Sequence, residues 1–352
     1  MVIRLALGAA LLAATAVRAS SVTDEISVSG TQSTPQNPRA GSLSDLVTAS
    51  VDAGESWTVN ASARITFESP TPAPSGASFP DRGWTVTDFS GGADWDATDN
   101  WTFGLTVDLS PQGTIGSDAR LSVQGRPTDV LLEATTSIAS LELLAGYDTA
   151  SSSDVEWLFT GAVSLSRIST NQRVAAARYA DDGSSASLSD LRARCVPLRS
   201  GCRTLVPAID GFSGVLRSAR LSAGALATVL SDTDVGVNLD YYAYLDDPAD
   251  AGVFTIATAG RFGAGAPIAP LRFLLRPEVT HRFGAFSVKG WAQVGRYVAE
   301  AGQGTAALGA KAQYRFSRSF RMWVSASGQR DEDPSGAVSR TGVLALGAGY
   351  RF

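Results

Sequence analysis

The 352-residue chain is 44% hydrophobic, only 18% charged and carries 35 glycines, and after residue 20 it has no run of eighteen consecutive apolar residues. A membrane-spanning helix downstream of the N-terminal segment is therefore excluded, which leaves a soluble domain or a membrane β-barrel. With 29 Lys and Arg against 34 Asp and Glu, the net charge of −5 argues against nucleic acid as a partner.

Residues 1–19 combine a basic start at Arg4, an apolar core from Leu5 to Val17, and small residues Val17 and Ala19 at the −3 and −1 positions of a cleavage site. This pattern reads as a secretory signal peptide cut after Ala19, which leaves 20–352 as one mature domain and removes the positive charges of Arg4 and Arg18. The apolar core is too short to span a bilayer comfortably as a retained anchor. No cysteine follows the cut, which argues against a lipid-anchored N-terminus.

Beyond the leader, apolar and polar residues alternate in segments of about ten, the period of a strand. Trp57, Val59, Ala61, Ala63, Ile65 and Phe67 fall on one face against Thr58, Asn60, Ser62, Arg64 and Thr66. Residues 101–109 and Thr305–Phe316 repeat the pattern, the latter with Ala306, Leu308, Ala310, Ala312, Tyr314 and Phe316 on one side. The expected strands cover 22–30, 43–52, 56–67, 84–95, 100–110, 138–148, 155–168, 214–229, 235–245, 271–282, 286–297, 304–316, 320–329 and 340–352. Fourteen is thus the expected number. Twelve to sixteen stays open, because the first strand is faint and 252–262 looks strand-like while lying in a loop.

Alternation alone fits a sandwich as well as a barrel. Aromatic residues decide between them: Trp57, Trp95, Trp101, Tyr147, Trp157, Phe283, Phe286, Phe316 and Phe320 all flank short connections. A membrane interface favours such rings at one depth, and a soluble core does not require them. The last segment alternates to its end, with Leu344, Leu346, Ala348, Tyr350 and Phe352 on one face. It resembles the terminal strand of bacterial outer-membrane β-barrel proteins, porin-like channels among them. The resemblance implies an all-β, transmembrane, antiparallel up-and-down barrel in the outer membrane of a Gram-negative bacterium. It also implies that Tyr350 and Phe352 form the signal read by the assembly machinery. Short turns alternating with longer loops then put both termini in the periplasm and the longer loops, notably 169–213, outside against lipid and lipopolysaccharide.

Little in the sequence points to catalysis. His281 is the one histidine. It lies beside a short turn with no serine motif nearby, and an interfacial or lumen-packing role fits it better than proton transfer. Pro277 marks a candidate bulge that would flip the facing of 278–282. No metal cluster and no nucleotide-binding glycine motif appears, so no cofactor is expected. Cys195 and Cys202, in CVPLRSGC, are expected to close a small disulfide loop surrounded by Arg192, Arg194, Arg199 and Arg203.

The polar faces carry more information. Asp94, Asp96, Asp108, Glu142 and Glu156 are expected to line the lumen in the first half, with Arg64 the exception. Arg272, Arg276, Lys289, Lys311, Arg315 and Arg321 are expected to line it in the second, with Glu278 the acidic exception. Opposite charges in different sectors of the wall would set a transverse field across an aqueous lumen. The sequence therefore reads as a passive, porin-like channel for hydrophilic solutes and not as an enzyme. The alternative is a structural or partner-binding barrel with a filled lumen, as in the outer-membrane component of a secretion or polysaccharide-export assembly with a periplasmic partner.

Overall fold

The computed structural model describes residues 20–33, 40–68, 84–123, 125–149, 155–194, 209–248, 271–298, 304–332 and 338–352. They form β1 (Ser21–Ser33), β2 (Ala40–Asp52), β3 (Trp57–Glu68), β4 (Trp84–Asp96), β5 (Trp101–Val123), β6 (Arg126–Asp148) and β7 (Glu156–Tyr179). A short helix α1 (Leu188–Arg194) follows. Then come β8 (Phe212–Leu230), β9 (Thr233–Tyr244), β10 (Leu271–Phe283), β11 (Phe286–Tyr297), β12 (Gly304–Arg315), β13 (Phe320–Glu332) and β14 (Val338–Arg351). Each strand pairs antiparallel with its neighbours in the chain, and β1 pairs with β14 from Ser21 opposite Arg351 to Ser33 opposite Ser339, closing the barrel. The faint first strand is thus a full one.

Most strands have 12 or 13 residues. At about 3.3 Å per residue they reach roughly 40 Å, enough to cross a hydrocarbon layer of about 30 Å at barrel tilt. Their outward faces are apolar and exposed: Ile26, Val59, Phe89, Leu105, Leu143, Leu165, Leu221, Leu239, Leu308 and Leu346 project into the surroundings. Asp24 and Asp45, diagonal neighbours across the β1–β2 ladder, are two acids that share this outward parity.

At the end carrying the short turns the outward side chains become aromatic. Trp57 stacks on Trp95 with centroids 5.9 Å apart, Trp101 meets Tyr147 at 4.9 Å, and Phe316 meets Phe320 at 5.5 Å, each contact tying two adjacent strands. The belt continues through Phe283, Phe286, Tyr350 and Phe352. The two-residue turn between β10 and β11 is possible because Gly284 adopts φ 64°, a left-handed conformation that costs glycine nothing.

Three strands depart from expectation. β5, β6 and β7 run for 23, 23 and 24 residues, roughly 75 Å, and so extend far past the others at the loop end. Residues 111–123 and 126–137 are therefore strand and not loop, and the expected loop 169–213 begins only after Tyr179. The sequence signal disappears there for a physical reason. Above the apolar layer neither face meets lipid, so strict alternation is no longer required. In its place a small core forms: Val123, Val130, Val174, Ala177, Tyr179, Ala186 and Leu191 are buried together, with Ile209 packed on them. Along the strands this is the face that continues the lumen wall, so α1 packs on the lumen side of the extension. Arg192 of α1 pairs with Asp210. Cys195, Cys202, Arg199, Arg203 and the segments 69–83 and 252–262 lie outside the described residues.

The tip of the extension is held by polar contacts. Arg126 Nη2 lies 2.6 Å from Asp181 Oδ1 and 3.0 Å from Asp182 Oδ2, and its guanidinium covers the Tyr179 ring at 3.8 Å. Hydrogen bonds from the Ser184 hydroxyl and backbone N–H hold the Asp182 carboxyl down to about 2, with Arg126 adding to them. Because the folded value lies below the unfolded one, this contribution is complete above about pH 4 and is lost as pH falls through about 2. The carboxyl carbon resonance of Asp182 should accordingly titrate near 2, and Ser184→Ala should raise that midpoint more than Arg126→Gln does. A larger effect from Arg126→Gln would reverse the assigned order of causes.

Candidate functional site: the lumen wall

Alternation and register together fix the inward face. Arg64, Asp94, Asp96, Asp108, Glu142, Arg276, Lys289, Lys311, Arg315 and Arg321 all carry inward parity, and Glu156 carries it at the turn end, opposite Thr228. The ladder passes Pro277 with no change of register; the irregularity falls instead between Leu271 and Phe273. Glu278 therefore stays inward, and Arg272 is the extra residue of the bulge and not a regular wall position. His281 has outward parity. Its ring packs edge-on against Phe283 at 4.2 Å, within the aromatic belt, and its Nδ1 lies 2.8 Å from Thr233 Oγ1 and 3.9 Å from Asp232 Oδ1. Both neighbours approach the same nitrogen, whereas a nucleophile–base–orienter chain needs one on each.

The wall divides into sectors. Across β3 to β6 the acids are held mainly by neutral donors. Asn60 Nδ2 donates to Asp94 at 2.9 Å, Thr102 Oγ1 to Asp96 at 2.8 Å, and Ser140 Oγ to Asp108 at 2.9 Å. Arg64 stands opposite Asp88 in the ladder. Hydroxyl and amide donors solvate a carboxylate without neutralising it, so this sector keeps negative charge.

From β6 to β11 the charges pair. Arg220 bonds Glu142, Arg282 bonds Asp234, and Lys289 Nζ lies 2.7 Å from Glu278. Among the described residues these ion pairs join strands that are adjacent or one removed. They run along the wall and do not cross the barrel. Arg220, Asp234 and Arg282 were absent from the expected set.

From β11 to β14 the wall is basic and aromatic. The Trp291 indole lies against Gly309 and the Trp323 indole against Gly347, where a Cβ would collide with either ring. Lys311 Nζ sits 4.4 Å from the Trp323 centroid and the Arg276 guanidinium 5.3 Å from that of Trp291, both within cation–π range. Trp323 Nε1 donates to Glu25 Oε2 at 2.6 Å. Glycine on one strand thus lets a large ring on the next lie close against the wall.

Nearer the loop end, inward apolar side chains form two clusters that the polar-face reading overlooked. Leu216 is buried against Ile168 and Tyr244, and Leu271 and Tyr297 are buried against Tyr242 and Leu274. Tyr244 donates to the Leu271 carbonyl at 2.8 Å and Tyr297 to Asp331 at 2.8 Å, so both hydroxyls are satisfied while the Tyr297 ring is buried and that of Tyr244 is half-buried. In β9 the signal was legible: Tyr242 and Tyr244 continue the parity of Asp234, Asn238 and Asp240, while Val235, Val237, Leu239 and Tyr241 occupy the other. The Trp291–Gly309 contact gives a direct check. Gly309→Val should destabilise the folded barrel by about 1–3 kcal/mol through overpacking, and adding Trp291→Ala should recover most of it. Additive losses in the double-mutant cycle would mean that ring and glycine are not in contact.

No protein-family model matches the sequence, and neither does any curated protein. Solved structures do match. A monoaromatic hydrocarbon channel named CymD superposes with a TM-score of 0.55 at 11% identity over 94% of this chain and 88% of that one. The Pseudomonas putida toluene transporter TodX gives 0.51 at 10% identity over 94% and 88%. A Pseudomonas aeruginosa FadL homologue gives 0.53 at 12% identity over 94% and 90%. At such identities the likeness is one of fold. Closure through β1 and β14, an exposed apolar band, an aromatic belt and these neighbours together make the chain a fourteen-stranded antiparallel β-barrel of the bacterial outer-membrane type.

Proposed function

We propose that the protein is an outer-membrane channel that admits small apolar or aromatic molecules at its loop end. The observation that carries this reading is the inward apolar lining toward the loop end, where half-buried Ile168, Tyr242, Tyr244 and Leu274 pack over the buried Leu216, Leu271 and Tyr297. A channel for hydrophilic solutes alone gains nothing from burying such groups in its mouth, whereas an apolar solute leaving water does. The hydrocarbon cargo named for two of the similar structures supports the same direction. Passage through the centre is consistent with ion pairs that follow the wall and rings that lie flat against glycines. In this reading the loop end faces outward, both termini are periplasmic, residues 1–19 are a cleaved leader, and the closing Phe352 serves the assembly machinery.

The test is uptake of labelled toluene by cells carrying the protein, compared with swelling of proteoliposomes in arabinose. Tyr242→Ser with Leu274→Ser should cut toluene uptake about tenfold, as loss of apolar contact worth about 1–3 kcal/mol implies, and leave arabinose unchanged. Ready arabinose permeation with toluene uptake indifferent to the substitutions would return the hydrophilic porin reading. Orientation is checked separately: an epitope at Asp182 should label on intact cells and one at Ser317 should not, and the reverse pattern would invert the barrel.

A further inference from the structure

The turn end of the lumen holds an arrangement that neither the fold nor passage of an apolar solute explains. A cavity of about 380 Å³ opens there between β12, β13, β14, β1 and β2. Four arginines line it, Arg315, Arg318, Arg321 and Arg351, with hydroxyls from Ser20, Ser21, Thr23, Ser50, Ser317 and Ser319. Asp52 is the one acid in the lining. It accepts from Thr58 Oγ1 at 3.4 Å, and its backbone N–H donates to Ser20 Oγ at 2.8 Å.

The register makes the charge distribution costly. Arg315 and Arg321 stand directly opposite each other in the β12–β13 ladder, both inward. Like charges in that position repel and weaken a sheet. Elsewhere in the lumen Arg220, Arg282 and Lys289 meet carboxylates, and Lys311, which stands opposite Lys289, meets a ring face. At this mouth Arg321 has a ring contact with Trp323 at 5.9 Å, and none of the four guanidiniums has an ion pair among the described residues. Gly349 leaves the space along which Arg321 lies, since a Cβ there would meet its Nε at 3.0 Å. The wall thus presents four forked donors to one cavity whose single carboxylate, Asp52, forms no ion pair with them among the described residues.

We propose that this mouth is a binding site for a soluble multivalent oxyanion, a phosphate ester or polycarboxylate. Guanidiniums match such groups bidentately, and the surrounding hydroxyls supply further donors. Multivalency follows from the number of cations: one carboxylate would leave the Arg315–Arg321 repulsion largely in place, whereas an anion of two or more charges bridges them. The inward facing of Arg315, Arg321 and Arg351 points to a ligand in the aqueous mouth and not to a headgroup in the surrounding leaflet. The site is independent of the cargo proposed above, and its test does not involve uptake.

Pyrophosphate titrated by calorimetry into the detergent-solubilised barrel should bind at one site, with acetate at least tenfold weaker and affinity falling as salt is raised. Arg315→Gln with Arg321→Gln should weaken pyrophosphate binding at least tenfold while leaving resistance to heat unfolding equal to or above wild type, because a repulsion has been removed. Arg64→Gln, elsewhere on the wall, should leave binding unchanged. Should the double variant fail to fold, Arg318→Gln in the turn should still weaken binding about threefold. Equal binding of acetate and pyrophosphate, or full binding by the arginine variants, would overturn the site. Repeating the titration in nanodiscs separates the sources of phosphate. Equal affinity in phosphatidylcholine and phosphatidylglycerol discs supports a soluble ligand, and a tenfold loss in phosphatidylglycerol would assign the arginines to lipid and overturn the proposal.

Discussion

Every feature of this molecule depends on the pairing of β1 with β14. A strand facing hydrocarbon has no water to satisfy its N–H and C=O groups, and each group left unpaired costs several kcal/mol. An open edge of a dozen residues would therefore cost more than a domain's whole stability. The ladder from Ser21 opposite Arg351 to Ser33 opposite Ser339 removes that edge by joining the first strand of the barrel to the last. Val22, Ile26 and Val28 alternate too weakly with serines and threonines to stand out in the sequence, yet β1 has no freedom to be absent. Closure also fixes which parity faces in, so one seam determines the facing of every wall residue.

Closure creates a packing problem that glycine solves. Large side chains on the inner face of a narrow cylinder would fill it unless each finds a shallow place on the next strand. Trp291 over Gly309 and Trp323 over Gly347 are two such places, and Arg321 along Gly349 is a third. The rings then serve as floors for cations, Lys311 and Arg276, which sit above them and not beside a carboxylate. The high glycine content noted in the sequence therefore reports inward as well as turn positions.

Legibility in the sequence followed the lipid. Where one face met hydrocarbon, as in Thr305–Phe316 or Trp57–Phe67, alternation placed the strand to within a residue or two and its inward residues by parity. Where no lipid lies against the chain the rule lost its cause, which is why the outer halves of β5, β6 and β7 looked like loops. Parity also failed at Arg272, since a bulge between Leu271 and Phe273 leaves no mark in the letters, while Pro277, which looked like a bulge, sits in an unbroken register. Long-range pairs such as Arg220 with Glu142, 78 residues apart, depend on strand order and inward facing together and need the closed sheet to be seen.

The lumen is not uniform along its axis, and the gradient bears on how a solute would move. Apolar rings cluster toward the loop end, Asp108 and the Arg220–Glu142 and Lys289–Glu278 pairs lie farther along the wall, and at the turn end the guanidiniums of β12–β14 gather in one sector while Asp96 and the Arg282–Asp234 pair occupy others. An apolar solute gains at the first station and nothing at the last, so its favourable contacts do not hold it at the exit. A multivalent anion behaves in the opposite way, held at the turn end beside β12–β14 and disfavoured by Asp96 across that same end and by Asp108 farther in. Two ligands of opposite character would then occupy opposite ends of one lumen without competing for the same side chains. Their coupling, if any, must pass through shared water or through the β12–β14 wall, where Trp323 links Lys311 and Arg321 to Glu25.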